Sequence, residues 1–177
     1  DSILDVAKME SGQMKLEPSN ASLPELVDNV LRELYPLARE HHVNLQAEIP
    51  PDMPPLSVDQ EKVERVMQNL LDNALKYTPD GGQVTVRASV RHDNGERPTA
   101  QIDVIDQGPG VPLEYKERLF DRFVQISGQK SARRGVGLGL TFCRLVVEAH
   151  HGRIWIEDNP QGGSIFAFTV PVATDAV

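Results

Sequence analysis

Cysteine is nearly absent. Cys143 alone cannot form an internal disulfide, and its isolation fits a reducing, cytoplasmic compartment. No apolar run approaches the ~20 residues that a membrane-spanning helix needs, and no basic stretch followed by an apolar one opens the chain. Positive charge is scarce as well, with 18 Lys and Arg against 26 Asp and Glu and a net charge of -8. That balance argues against bulk binding of nucleic acid or of an anionic membrane. An anionic ligand would have to be held locally, by a few cations, backbone N–H groups and a metal. What is present is an ordinary globular composition, 40% apolar and 25% charged over 177 residues, enough for one domain and an appendage.

The chain opens in mid-element. Asp1–Leu16 carries Ile3, Leu4, Val6, Ala7, Met9 and Met14 at roughly helical spacing, without an N-cap ahead of them. This reads as the end of a longer helix, with Lys15–Ser22 (KLEPSNAS) as the linker leaving it. Ser22-x-x-Glu25, with Pro24 in the first turn, predicts a helix that ends near His41. Alternation at Val43–Ile49 predicts a strand, and Asp59 is the expected N-cap of a helix over Gln60–Tyr77. Strands are expected at Val84–Val90, Ala100–Asp106, Arg153–Glu157 and Ser164–Pro171, and helices around Leu113–Phe123 and Leu138–His151. The order favours an α+β fold, a two-layer α/β sandwich in which helices cover one mixed sheet.

Three groups of residues can carry chemistry. On the helix Gln60–Tyr77, Asn69, Asn73 and Lys76 fall at i, i+4 and i+7 beside an apolar stripe. Asn is a poor helix former, so two of them one turn apart call for a reason. Either they are surface amides beside a solvated Lys, or their hard oxygens hold Mg²⁺ while Lys76 meets a phosphate. Asp106, in Asp106-Gln-Gly-Pro-Gly110, has the strand parity of Ile102 and Val104 and so points to the core face. It either opens a tight turn or accepts from a buried donor such as an adenine amine, with glycines letting the backbone approach a flat base. Gly135-Val-Gly-Leu-Gly139-Leu140 precedes a helix and offers N–H groups to an anion. Its context is not that of a dinucleotide fingerprint, because SGQKSARR rather than a strand comes before it.

Gln125–Gly135, with Lys130, Arg133 and Arg134, is patternless and basic: an exposed loop or a lid over phosphates. Gly162-Gly-Ser164 reads as a turn. The pairs His41/His42 and His150/His151 make poor chelates, since neighbours on a helix point about 100° apart, and they are expected at helix ends.

In this order the motifs resemble those of histidine protein kinases. NLLDNALKYT at Asn69–Thr78 is similar to their asparagine box, DQGPG at Asp106–Gly110 and GVGLGL at Gly135–Leu140 to their two glycine boxes. LFDRF at Leu119–Phe123 is similar to the phenylalanine box, and GGSIF at Gly162–Phe166 to the closing glycine motif. The resemblance implies the left-handed-crossover ATP fold that these kinases share with heat-shock chaperones, type II topoisomerases and mismatch-repair ATPases. It implies a catalytic ATP-binding domain over residues 23–173, a linker at 18–22, and the end of a dimerisation helix at 1–17. By the same resemblance ATP and Mg²⁺ are the ligands. Asn69 and Asn73 would bind the metal, Lys76 a phosphate, Asp106 the adenine amine, with Tyr77 near the base. Gly108 and Gly110 would shape that pocket, and Gly135, Gly137, Leu138, Gly139 and Leu140 would border the phosphates. The γ-phosphoryl would pass to a histidine of the chain's own dimerisation domain, in a homodimeric parent, then to a response-regulator receiver domain. Two departures stand out. Val124-Gln125 follows the phenylalanine box where a basic phosphate contact is common, and none of the five histidines has the H-E-x-x-x-P context of an acceptor. A non-catalytic ATP-sensing module and another ATPase of the superfamily are the alternative readings.

Overall fold

The computed structural model describes residues 2–126 and 138–174. Helix α1 (Ser2–Glu10) leads into strand β1 (Ser19–Ala21), followed by α2 (Leu23–Glu40), β2 (Asn44–Glu48), β3 (Leu56–Val58) and α3 (Gln60–Tyr77). Then come β4 (Gln83–Arg91), β5 (Thr99–Ile105), α4 (Gly139–Ala149), β6 (Ile154–Asp158) and β7 (Ser164–Pro171). The main sheet has five strands in the order β2-β4-β5-β7-β6; β2 runs parallel to β4 and the remaining pairs are antiparallel. One face of it, with Val84, Val86, Ile102, Val104, Phe166 and Phe168, is buried in a core shared with α2, α3 and α4. This is the expected two-layer α/β sandwich. Among the described residues no helix is long and apolar enough to cross a membrane.

Each covering helix forms where its caps and apolar stripe agree. Ser22 accepts from the Glu25 N–H at the start of α2, and the Asp59 carboxylate accepts from the Lys62 N–H at the start of α3. In α3 the stripe Val63, Val66, Met67, Leu70, Leu71 and Ala74 is wholly buried, which leaves Asn69, Asn73 and Lys76 half-buried along its border.

Three expectations are corrected. The first helix stops at Glu10, because Gly12 takes a left-handed φ of +73°. The linker is partly a strand: β1 pairs antiparallel with β3, a strand that follows the Pro-rich stretch and that alternation over three residues is too short to reveal. The helix around Leu113–Phe123 is two 3₁₀ turns, Leu113–Tyr115 and Arg118–Phe120. Only Leu119 and Phe120 bury there, and Leu113 is 83% exposed, so no continuous apolar stripe holds a longer helix against the core. Both histidine pairs do lie at helix ends, with His41 and His150 at C-caps and His42 and His151 left-handed after them.

Candidate functional site

The candidate site is organised around the C-terminal half of α3. Asn69, Asn73, Lys76 and Tyr77 line one border of the helix, as the spacing requires. The Asn69 amide nitrogen donates to the Gly139 carbonyl at 3.4 Å, joining α3 to the first residue of α4. A β-carbon on Gly139 would lie 3.8 Å from Asn69 Cγ and 4.0 Å from its oxygen, so glycine keeps the space before that oxygen open. The Lys76 ammonium lies 5.4 Å from the centre of the Tyr77 ring, and burial pushes the Tyr77 phenol above its ordinary value.

Asp106 follows β5 and is buried. Its Oδ1 accepts from the Gly108 N–H at 2.9 Å and from the Ser164 N–H at 3.0 Å. Its backbone N–H donates to the Ser164 carbonyl, and its own carbonyl accepts from the Asn159 side-chain amide at 2.9 Å. Burial pushes the Asp106 carboxyl above the usual carboxylate range, against the pull of the two N–H bonds. Both of these side-chain bonds fall on Oδ1, and neither uses Oδ2.

The turn after Asp106 packs on the end of α3. A β-carbon on Gly108 would come within 3.0 Å of the Tyr77 carbonyl oxygen, and the Gln107 N–H donates to Thr78 Oγ1 at 3.4 Å. Gly110 has a φ of +81° and faces the Gly163 carbonyl. The first two motifs, with 27 residues between them in sequence, thus form one wall. Leu138 is buried at the N-cap of α4 and Leu140 is half-buried against the core, so only their backbone is placed to face a ligand. Gly135, Gly137, Lys130, Arg133 and Arg134 lie outside the described residues.

Sequence reasoning missed the support of Asp106. Gly163, read only as part of a turn, has a φ of +101°, and a β-carbon there would lie 2.2 Å from the Asp106 carbonyl oxygen. Asn159 carried no signal, and Ser164 and Thr78 were read only as members of their motifs, because single polar residues acquire their partners only when distant segments meet. Cys143 takes no part in nucleophilic chemistry. It is fully buried, and burial pushes its thiol up to about 12. Among the described residues no group of three or more His, Cys, Asp or Glu could hold a metal ion.

Over 170 residues, or 96% of its length, the chain is 39% identical to the adaptive-response sensory kinase SasA of Synechococcus sp. (strain JA-2-3B'a(2-13)) and 38% identical to that of Rippkaea orientalis (strain PCC 8801 / RF-1). It spans only 44% and 42% of the lengths of those two relatives. Its fold superposes on full-length ShkA, crystallised in complex with AMPPNP, with a TM-score of 0.85, 26% identity, and coverage of 99% of this chain and 35% of that one. The nucleotide-free catalytic domain of histidine kinase ThkA matches with a TM-score of 0.72 and 25% identity, covering 89% of this chain and 99% of that one. Residues 58–174, from the last residue of β3 past the end of β7, match the model of the histidine kinase-, DNA gyrase B- and HSP90-like ATPases, and the chain belongs to that family.

Proposed function

We propose that this chain is the ATP-binding catalytic domain of a two-component sensor histidine kinase, acting with Mg²⁺. The observation that carries the reading is the buried Asp106 carboxylate, held through Oδ1 by Gly108 and Ser164 and set against the end of the helix that bears Asn69, Asn73 and Lys76. Oδ2 suits the exocyclic amine of adenine, a donor that repays the burial of a carboxylate. Gly108 and Gly110 let the backbone close around a flat base, with Tyr77 beside it. Lys76 suits a phosphate, and the N–H groups that open α4 at Gly139 suit the anionic end of the nucleotide. Gly135, Gly137 and the backbone of Leu138 and Leu140 would border the phosphates, and Lys130, Arg133 or Arg134 would meet their charge.

The donor set fits Mg²⁺, which prefers hard oxygen ligands and keeps several waters. Asn69 and Asn73 supply two neutral amide oxygens one turn apart, and the Gly139 contact of the Asn69 nitrogen leaves its oxygen as the ligating atom. When bound, the ion neutralises phosphate oxygens. With the nucleotide so held, positioning and charge neutralisation are what the chain contributes to phosphoryl transfer. Residues 1–17 hold the end of the dimerisation helix, which stops at Glu10, and its exit; 18–22 are the linker and 23–173 the catalytic domain. The acceptor is a histidine of the dimerisation domain in a homodimeric parent, and the phosphoryl passes on to a receiver domain.

Replacing Asn73 by Ala should weaken ATP binding chiefly when Mg²⁺ is present, since it removes a metal ligand and no base contact. Calorimetric titration with and without Mg²⁺ checks this, and equal loss in both would refute the metal assignment. The fragment with ATP and Mg²⁺ should not label itself from radioactive ATP, yet should label its parent's dimerisation domain added separately. That labelling should be slow, because the tether that raises effective concentration is missing. Acid-labile label on the fragment, lost on changing His41/His42 or His150/His151, would place an acceptor inside the domain instead.

A further inference from the structure

Helices α3 and α4 lie side by side and antiparallel, and both ends of α4 are bonded to α3 or its N-cap. At the candidate site Asn69 meets Gly139. Midway the Cys143 thiol donates to the Val66 carbonyl at 3.7 Å, and the Arg65 guanidinium sits 4.1 Å above the Phe142 ring. At the far end, ten residues or about 15 Å along α3, the buried His150 imidazole at the C-cap of α4 accepts the Asp59 N–H through Nε2 at 3.0 Å. His150 Nδ1 lies 2.8 Å from the Val146 carbonyl, so it carries the proton and the ring is the neutral Nδ1–H tautomer.

Asp59 faces the other way as well. Its carboxylate Oδ2 accepts from the Glu17 N–H at 2.9 Å, within the segment between α1 and β1, and from Lys62 Nζ at 3.2 Å. The next residue, Gln60, donates to Ser19 Oγ and the Asn20 carbonyl. The linker is thereby fastened to the start of the helix whose other end forms the site.

We propose that His150 and Asp59 are positioning residues that lock the exit segment at Glu17, just ahead of the linker, to the far ends of the two helices carrying the nucleotide site. Nucleotide occupancy at one end of this strut then bears on how the linker leaves the domain at the other. The proposal rests on reading residues 1–17 as the end of the dimerisation helix. An imidazole that must accept at Nε2 cannot keep this bond when it is protonated there. Burial holds His150 below its ordinary value; His151 and Lys62 act in the same direction, while the Val146 carbonyl and the Asp59 carboxylate oppose them. Since the folded pKa is depressed, the lock is complete above the unfolded value of about 6.5 and is lost as pH falls through the folded one. Asp59 stays ionised over this range. Burial raises its carboxyl, but the bonds from Glu17 and Lys62 outweigh that and hold it below the ordinary value.

Hydrogen exchange at the Glu17 amide reads the lock directly, because that N–H is one of its bonds. Corrected for intrinsic rate, its protection should fall severalfold between pH ~7.5 and a pH below the depressed His150 pKa, while the amides of β5 keep theirs. His150→Gln, whose amide oxygen reaches about as far as Nε2 and does not titrate, should hold the protection at both pH values. His150→Leu should lack it at both; if that variant does not fold, the parent against His150→Gln decides. ATP with Mg²⁺ should raise Glu17 protection severalfold in the parent at pH ~7.5. Protection independent of pH in the parent, a His150→Gln variant that follows the parent, or ATP that binds without changing Glu17 would each overturn the lock. ATP that fails to bind would instead refute the nucleotide reading, leaving the pH comparison to test the lock.

Discussion

Asp106→Asn should lose ATP affinity by ~1–3 kcal/mol or more, roughly 5- to 150-fold, without loss of folding stability. The two N–H groups of Gly108 and Ser164 converge on Oδ1. In the variant the amide oxygen must occupy that position, because turning the amide over would point its NH₂ at two donors. The NH₂ is then left where Oδ2 was, and an adenine amine meets a donor instead of an acceptor. The fold gives up nothing comparable. The carboxyl is held above its unfolded value by burial, so its ionisation subtracts stability as pH rises through the folded pKa, and the neutral amide removes that cost. Calorimetric titration and denaturant unfolding together check the expectation. Unchanged ATP affinity in a folded variant would remove Asp106 from the adenine site.

Gly163→Ala should be more damaging, costing about 3 kcal/mol or more of stability and most of the nucleotide affinity. Two penalties coincide there. The φ of +101° is one that L side chains rarely adopt, and the new β-carbon would lie 2.2 Å from the Asp106 carbonyl oxygen and 2.9 Å from its Oδ1. Either the strand β7 entry or Asp106 itself must move, and both options displace the group proposed to read adenine. Gly162→Ala separates the two effects. Its φ of +96° is equally strained, but nothing lies within 4 Å of the added carbon. It should lose stability modestly and keep its affinity for ATP. Equal behaviour of the two variants in unfolding and in titration would show that the contact with Asp106 carries no weight.

The difference between these two glycines illustrates where sequence reading stopped. In the sequence Gly162 and Gly163 are one turn signal. In the fold, one faces solvent and the other touches the backbone and carboxylate of a residue 57 positions earlier. His150 makes the same point. Its place at a helix end was legible, but the bond it makes there was not. The ring is buried and neutral and serves as an acceptor for Asp59, 91 residues away.

What the sequence determined by itself is whatever local chemistry dictates. Apolar period and capping residues specified α2 and α3, the latter to the residue, because propensity, cap and buried stripe all agree within one segment. Strand parity predicted a buried Asp106, since alternate side chains must share a face. The stripe of Asn69, Asn73 and Lys76 follows from helix geometry alone, and the order of motifs placed the chain in its family. Tertiary structure decided what depends on segments meeting. It paired β1 with β3, reduced Leu113–Phe123 to two short turns, and set the Asp106 carboxylate between Gly108 and Ser164. It also joined His150, Asp59 and Glu17 at the end of α3 away from the site. Three-residue strands and single hydrogen bonds leave no periodic trace, and a buried polar group finds its partner only after the core has brought distant backbone within reach.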